Sequence, residues 1–416
     1  MVTLDYANAR RLPHPIVWTI LYVPFGALGG FIGVALTFLA TEHGLSITEG
    51  SLIIGSQMLV SWLKWLWAPV VDVSLSPKRW YVISTAFSAA GVFAMSAIPL
   101  GKGTLAFLLV TIALVNVINS VVGMAVEAMI ASITPDDQVG RVSAWFQTGN
   151  LGGTGLGGAL GLFLIQHLPQ PWMAGAIMGV LFLACCLALL PLPAIPAHAG
   201  HVRPVKAVQT VARGFWNMIK ARAGMLTAIL CILPVATGAA QGTLTQSEVA
   251  GFWGAGAGHV ALVQGVLSGV ITAVGCFIGG WVCNRMNARA AYAVFGIVLA
   301  VIAAAMAVSP NTVSMYVVWN MIYAMGVGLS YAAFTAMVLV AIGRSAAATG
   351  YNVFASLSNF PTWWLGLLLG WTADHHGPRM MLMTEAGLGV VGVFVFVAIG
   401  RWLSPEVKEE EVVVTV

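Results

Sequence analysis

Residues 104–131 read TLAFLLVTIALVNVINSVVGMAVEAMIA, and Glu127 is their single ionisable side chain. Crossing the hydrocarbon core of a bilayer takes about 20 apolar residues in a helix. A barrel strand would instead alternate apolar and polar positions with period two, and no such alternation occurs here. The stretch therefore predicts a transmembrane helix. Its polar residues Asn116, Asn119, Ser120, Gly123 and Glu127 fall at helical spacing on one face, which must meet protein or water because lipid offers them no partners.

Working outward, the same signal fills the chain. Of 416 residues, 59% are hydrophobic and 8% are charged, with a mean hydropathy of +0.92. A soluble domain carries roughly 25% charged residues, so a soluble enzyme, a nucleic-acid binder and a disordered protein are all excluded. The pattern predicts an all-α polytopic membrane protein with spans at 16–40, 50–73, 80–98, 104–131, 140–166, 172–191, 225–247, 259–284, 289–308, 312–342, 347–372 and 380–403. Cys185, Cys186, Cys231, Cys276 and Cys283 lie inside apolar stretches, without disulfide or metal spacing. No cofactor is expected. Asp374, His375 and His376 are adjacent in sequence and so poorly placed to converge on one metal ion.

Charge sets the expected orientation. With the N-terminus in the cytoplasm, 15 of the 18 basic residues fall on the cytoplasmic side, the asymmetry of the positive-inside rule. Both termini are therefore expected there, and the +4 net charge reflects topology, giving no reason to invoke nucleic acid. Residues 192–224 form the long internal connection. Lys206, Arg213 and Lys220 recur every seven residues opposite an apolar face, the pattern of an amphipathic helix on an anionic leaflet; a solvated linker is the alternative. The expected organisation is an N-terminal six-helix half (1–191), the basic cytoplasmic linker (192–224), a C-terminal six-helix half (225–403) and a short cytoplasmic tail (404–416). A weak internal echo supports two halves: Ala68, Asp72, Lys78, Arg79 and Tyr81 recur as Gly280, Asn284, Arg285, Arg289 and Tyr292. Chance similarity between two Gly/Ala-rich halves is the competing explanation.

Ionisable groups inside spans cost about 2.5–3.5 kcal/mol on insertion scales and mark function by default. In the second span Gln57, Ser61, Lys64, Ala68 and Asp72 share a stripe. Lys64 is expected to meet an anionic substrate group or a mobile carboxylate in a central cavity; a permanent ion pair with Glu127 or Asp72 is the other reading. Glu127, Asp72 and Arg141 are expected to form a proton-coupling site or inner gate, although Asp72 could equally be a helix-end clamp. Further cavity-lining candidates are Trp65, Asn116, Asn119, Gln147, Asn150, Gln241, Gln264, Asn320, Tyr323, Tyr331, Asn352 and Asn359, each of which could alternatively be interhelical glue. Glu385, about a turn and a half into the last span, is expected to reach the interface. The glycines of the fifth span, Gly149 to Gly161, are expected to allow close helix approach.

At SWLKWLWAPVVD, residues 61–72, the chain resembles the peptide, acetyl-coenzyme A and drug transporter branch of the major facilitator superfamily, which includes the bacterial muropeptide permeases. Leu63, Lys64, Trp65, Leu66, Trp67, Ala68, Pro69 and Asp72 carry the match; Val73 stands where the family's run continues with Arg. The resemblance implies twelve helices in two halves rocking about a central site. It also implies proton-driven movement of a carboxylate-bearing, muropeptide- or peptide-like solute across a bacterial inner membrane. The expected partners are a small-molecule substrate, protons and membrane lipids, with the chain a monomer. A siderophore permease, a drug or metabolite exporter of the same fold, and a non-transporting membrane sensor are the alternatives.

Overall fold

The computed structural model describes residues 14–68, 71, 74–134, 139–193, 209, 213, 222–283, 285–342 and 347–403. Asp72, most of the 192–224 connection, Asn284 and the 404–416 tail lie outside them, as do the side chains of Arg141 and Asn352. Every regular element among the described residues is helical. Among the described residues, eight stretches are long and apolar enough to cross a membrane. Large side chains such as Phe107 (66% exposed), Phe277 (78%) and Phe394 (75%) point outward, an arrangement suited to lipid and a liability in water.

The first helix, α1, runs Ile16–Glu42 with a π-helical segment at Phe31–Leu36. Next, α2 (Ile47–Leu63) starts at a reciprocal cap. Ser46 Oγ accepts from Glu49 N (3.2 Å) while Glu49 Oε2 accepts from Ser46 N (2.8 Å), satisfying two otherwise orphaned donors. Its α-helical turns stop at Leu63, and Lys64–Leu66 continue as a tighter 3-10 turn. Four helices follow: α3 (Pro77–Ala97), α4 (Leu105–Ile133), α5 (Val139–His167) and α6 (Pro171–Cys185).

The expected continuous span at 225–247 is broken instead. It consists of α7 (Arg222–Ile232), α8 (Ala240–Leu244) and α9 (Ser247–Gly251). Pro234 cannot donate to a helix and disfavours helical geometry in the residue before it. Ala236 (φ 52°) and Gly238 (φ 66°) then turn left-handed. Beyond the break come α10 (Ala257–Cys283, π-helical at Ala261–Leu267), α11 (Ala288–Val308) and α12 (Val313–Ile342). Ala347–Leu403 is interrupted only at Gly377 (φ 82°), giving α13 (347–376) and α14 (378–403). The Asp374-His375-His376 segment, expected in a loop, is therefore the last turn of α13.

Packing follows small residues. A Cβ on Gly157 of α5 would collide with the backbone of Ala27 in α1, and one on Gly26 of α1 with the backbone of Asn150, so these helices meet backbone to backbone. Tyr81 at the start of α3 donates to Leu21 O of α1 (2.9 Å), and Tyr292 at the start of α11 donates to Val235 O beside the α7 break (2.7 Å). One staple thus occurs twice, at the two tyrosines paired by the sequence echo.

The apolar core is continuous at one end of the bundle and divided at the other. Residues from α1 through α14 share one large cluster. Around the start of α1, a cluster of Val17, Leu21, Tyr81, Val126 and Val142 is separate from one formed by Leu230, Ala291, Phe334 and Phe396. At the sealed end, Thr41 Oγ1 accepts from Ser247 N (2.8 Å), Gln246 Nε2 donates to Ser51 Oγ (2.9 Å), and Thr48 Oγ1 donates to Asp374 Oδ2 (2.7 Å). Glu248 stands beside this seam, its carboxyl raised above the usual range first by burial and then by the negative charge of Asp374.

Candidate functional site

Between the divided cores lies a cleft lined by Tyr22 and Phe25 of α1, by Lys64, Trp65 and Ala68, by Ser120, Gly123, Met124 and Glu127 of α4, and by Ser356 of α13. Lys64 and Glu127, picked out from separate helices, thus border one space. The close of α2 positions the first: Trp67 Nε1 donates to Ser120 Oγ (2.8 Å), tying the 3-10 turn to α4. Lys64 is half-buried on that turn, and no hydrogen bond or ion pair of its ammonium occurs among the described residues. Glu127 Oε1 accepts from Tyr22 Oη at 3.3 Å. The Tyr22 ring is held by Phe25 and Phe146, with centroids 4.9 and 4.0 Å away. Tyr22 was not among the sequence candidates, since one hydroxyl inside an apolar first span gives no periodic signal.

The remaining candidates divide among three settings. Asn116 and Asn119 are buried and committed to backbone: their amides donate to Ile112 O (2.9 Å) and Phe25 O (3.1 Å). The Asn119 amide ties α4 to α1, the Asn116 amide folds back onto its own helix, and neither residue lines the cleft. Gln264 and Asn320 bond each other across α10 and α12 at 2.5 Å, both buried. Asn150 donates to Gln147 Oε1 (3.2 Å) within α5. Gln57 is half-buried and lies under Gly29 of α1. Ser61 donates to Gln57 O (3.2 Å), and Asn359 of α13 reaches Ser61 O (3.4 Å).

A second, smaller cleft separates α2 from α8 and α13, bordered by Ser51, Gly55, Ala239, Gly242, Thr362 and Trp363. Gln241 is half-buried on α8 beside it. Trp62 stacks on Trp363 at 6.0 Å, so of the tryptophans near Lys64 only Trp65 lines the larger cleft. Tyr331 is 43% exposed and borders neither cleft.

Glu385 departs furthest from expectation. It is 5% exposed and does not reach an interface. Tyr323 Oη donates to its Oε1 at 2.7 Å and Ala240 N donates to the same oxygen at 3.1 Å. Tyr323 therefore serves this carboxyl and does not face the cleft. The sequence misplaces Glu385 because depth counted from the end of α14 does not register α8, which folds over it.

Comparison with known proteins agrees with this layout. A model of the Major Facilitator Superfamily matches residues 18–363. The anhydromuropeptide permease of Escherichia coli (strain K12) is 23% identical over 361 residues, covering 82% of this chain and 70% of that one. Among solved structures, a mutant of the nucleoside transporter NupG superposes with a TM-score of 0.72 at 14% identity, over 92% of this chain and 99% of that one. A POT family transporter in complex with a thioalcohol-conjugated peptide gives 0.71 at 9% identity, over 94% and 96%. The D-xylose-proton symporter gives 0.68 at 13%, over 92% and 96%. At these identities the structural likeness is one of fold. The family match, which spans most of the sequence, says more: the chain belongs to the Major Facilitator Superfamily and is a membrane transporter, not an enzyme.

Proposed function

We propose that the chain is a secondary active transporter of twelve helices in two six-helix halves. It moves a carboxylate-bearing, muropeptide- or peptide-like solute across a bacterial inner membrane by alternating access, coupled to protons. The observation that carries this reading is the shared cleft of Lys64 and Glu127. A half-buried ammonium without a protein counter-ion among the described residues suits a carboxylate brought by the solute, because a charge in such a setting is costly until paired. A carboxylate on the facing helix can exchange a proton with that same space. The similarity to a permease for anhydromuropeptides favours a solute of that class, and the paired Tyr81 and Tyr292 staples favour two related halves.

With both termini in the cytoplasm, as the basic residues suggest, the divided end faces the cytoplasm and the sealed end faces outward. The conformer is then inward-facing, and Lys64 meets solute on the cytoplasmic side of the seal. The proposed gate also takes in Asp72 and Arg141, whose side chains lie outside the described residues.

Replacing Lys64 with Met keeps the chain length and removes the charge. Uptake of labelled anhydromuropeptide into proteoliposomes should fall by roughly tenfold or more, corresponding to loss of a charged contact of about 1.5–3 kcal/mol. A neutral amidated analogue should be affected much less. An equal loss on both would make Lys64 a structural cation and sink the recognition role.

A further inference from the structure

Among the described residues, the proposed cleft leaves one buried carboxyl unused. Glu385 lies on α14 behind the broken helix, and its two carboxyl oxygens are treated unequally. Oε1 accepts from both Tyr323 Oη and Ala240 N. Oε2 is buried with no hydrogen-bond partner among the described residues. Among the described residues, the elements around it offer no counter-charge. On α12, Tyr323 is the titratable group that faces it, since Tyr316 is bonded to Leu244 O. On α11, Arg289 and Tyr292 lie at the far end, where Tyr292 is bonded to Val235 O. Cys231 of α7 is buried in the cluster around Tyr292, and α8 carries no ionisable residue. On α14 itself, Arg379 is turned to Asn311 Oδ1 (2.8 Å).

An ionised carboxylate in that position would be a buried charge with an empty oxygen and no cation among the described residues, which burial strongly disfavours. The neutral acid avoids the charge and keeps both observed hydrogen bonds to Oε1. We infer that Glu385 is a proton-binding site, occupied in this conformer. It takes up one proton from water to become the acid and returns it when the site opens; no other bond is made or broken.

The route of opening is visible in the fold. Ala239, next to the amide that holds Glu385, also borders the second cleft, so the short α8 segment is the wall between that cleft and the carboxyl. Left-handed turns at Ala236 and Gly238 on one side and the short helices beyond leave α8 as a separate piece. Its displacement would break the Ala240 bond and expose the acid at once. As a coupling element the site rests on the proposed proton-driven transport, but its protonation does not.

The test is infrared difference spectroscopy of the full chain in liposomes, titrated from acid to alkaline pH, for the wild type, Glu385→Gln and Tyr323→Phe. The wild type should show a neutral-carboxyl C=O absorption at neutral pH that is lost in Glu385→Gln and moves to higher frequency in Tyr323→Phe, where one donor is gone. If wild type and Glu385→Gln give the same spectrum at neutral pH, Glu385 is ionised there and the inference falls. Should Glu385→Gln fail to fold, an unmoved absorption in Tyr323→Phe overturns it equally. Failure of wild-type anhydromuropeptide uptake to respond to a proton gradient would count against the proposed transport alone, because the infrared result does not depend on transport.

Discussion

At the residue scale the informative pair is Glu127 and Tyr22. The hydroxyl reaches the carboxylate at 3.3 Å, beyond the usual range for an O–H···O bond, so it orients the group only weakly, which suits the proposed exchange of a proton with the cleft. Glu127→Gln retains an acceptor for Tyr22 and abolishes the titration. Proton-driven accumulation should disappear in this variant while solute counterflow, which needs no net proton movement, persists; undiminished accumulation would assign coupling to another carboxyl. Helical spacing was enough to read Lys64 and Glu127 as facing the same side of their helices, and both line one cleft. The same spacing suggested a wet surface for Asn116 and Asn119, yet their amides are bound to Ile112 O and Phe25 O. Periodicity reports which face a residue is on; whether solvent, a carbonyl of its own preceding turn, as for Asn116, or one of the next helix, as for Asn119, meets it is not written in the spacing.

At the scale of elements, breaks and close approaches matter more than span lengths. The apolar runs located most helices to within a few residues, because burial in lipid imposes a simple length rule. The run at 225–247 hid a break, since hydropathy does not register the missing donor of Pro234 or the left-handed backbone at Ala236 and Gly238. Neither could it show that α8 covers Glu385. The glycines of α5 were legible as a packing surface, and their function is now specific: Gly157 lies against the backbone of Ala27. Gly157→Ala should push α1 and α5 apart and destabilise the protein by about 1–3 kcal/mol, the usual cost of overpacking. A lowered thermal unfolding midpoint in detergent would register this, whereas an unchanged midpoint would mean that the two helices separate freely.

For the whole molecule, the sealed end is the feature that selects the conformer. Thr41, Ser247, Gln246, Ser51, Thr48 and Asp374 join segments distant in sequence, and no local pattern could announce such pairings. Each neutral hydrogen bond contributes about 0.5–1.5 kcal/mol net, so one loss shifts a two-state equilibrium several-fold without unfolding the protein. Thr41→Val, which removes the acceptor of both Ser247 N and Ser247 Oγ, should raise the population open at this end by about fivefold, taking roughly 1 kcal/mol for the pair. Distances between spin labels on either side of the seam would report it; an unaltered distribution would show that the apolar core alone holds the seal. Protonation of Glu248 acts in the opposite direction. The Glu248 carboxyl is raised in this conformer, so its protonation favours the sealed state and alkaline conditions relax it. Asp374 is lowered, the rise from burial being outweighed by its bonds to Thr48 and Ser46, so acidification further down through its own range opens the seam.

The make-up of that seam also fixes its response to salt. A gate latched by opposite charges loosens as ions screen it. Here the fastenings are hydroxyls, an amide and one hydroxyl-to-carboxylate bond, and the neighbouring pair of like sign, Glu248 and Asp374, pushes apart. Screening leaves the fastenings nearly untouched and mutes the repulsion. In concentrated electrolyte the sealed end should therefore stay shut longer, and distances between spin labels across the seam, read without solute, would report it.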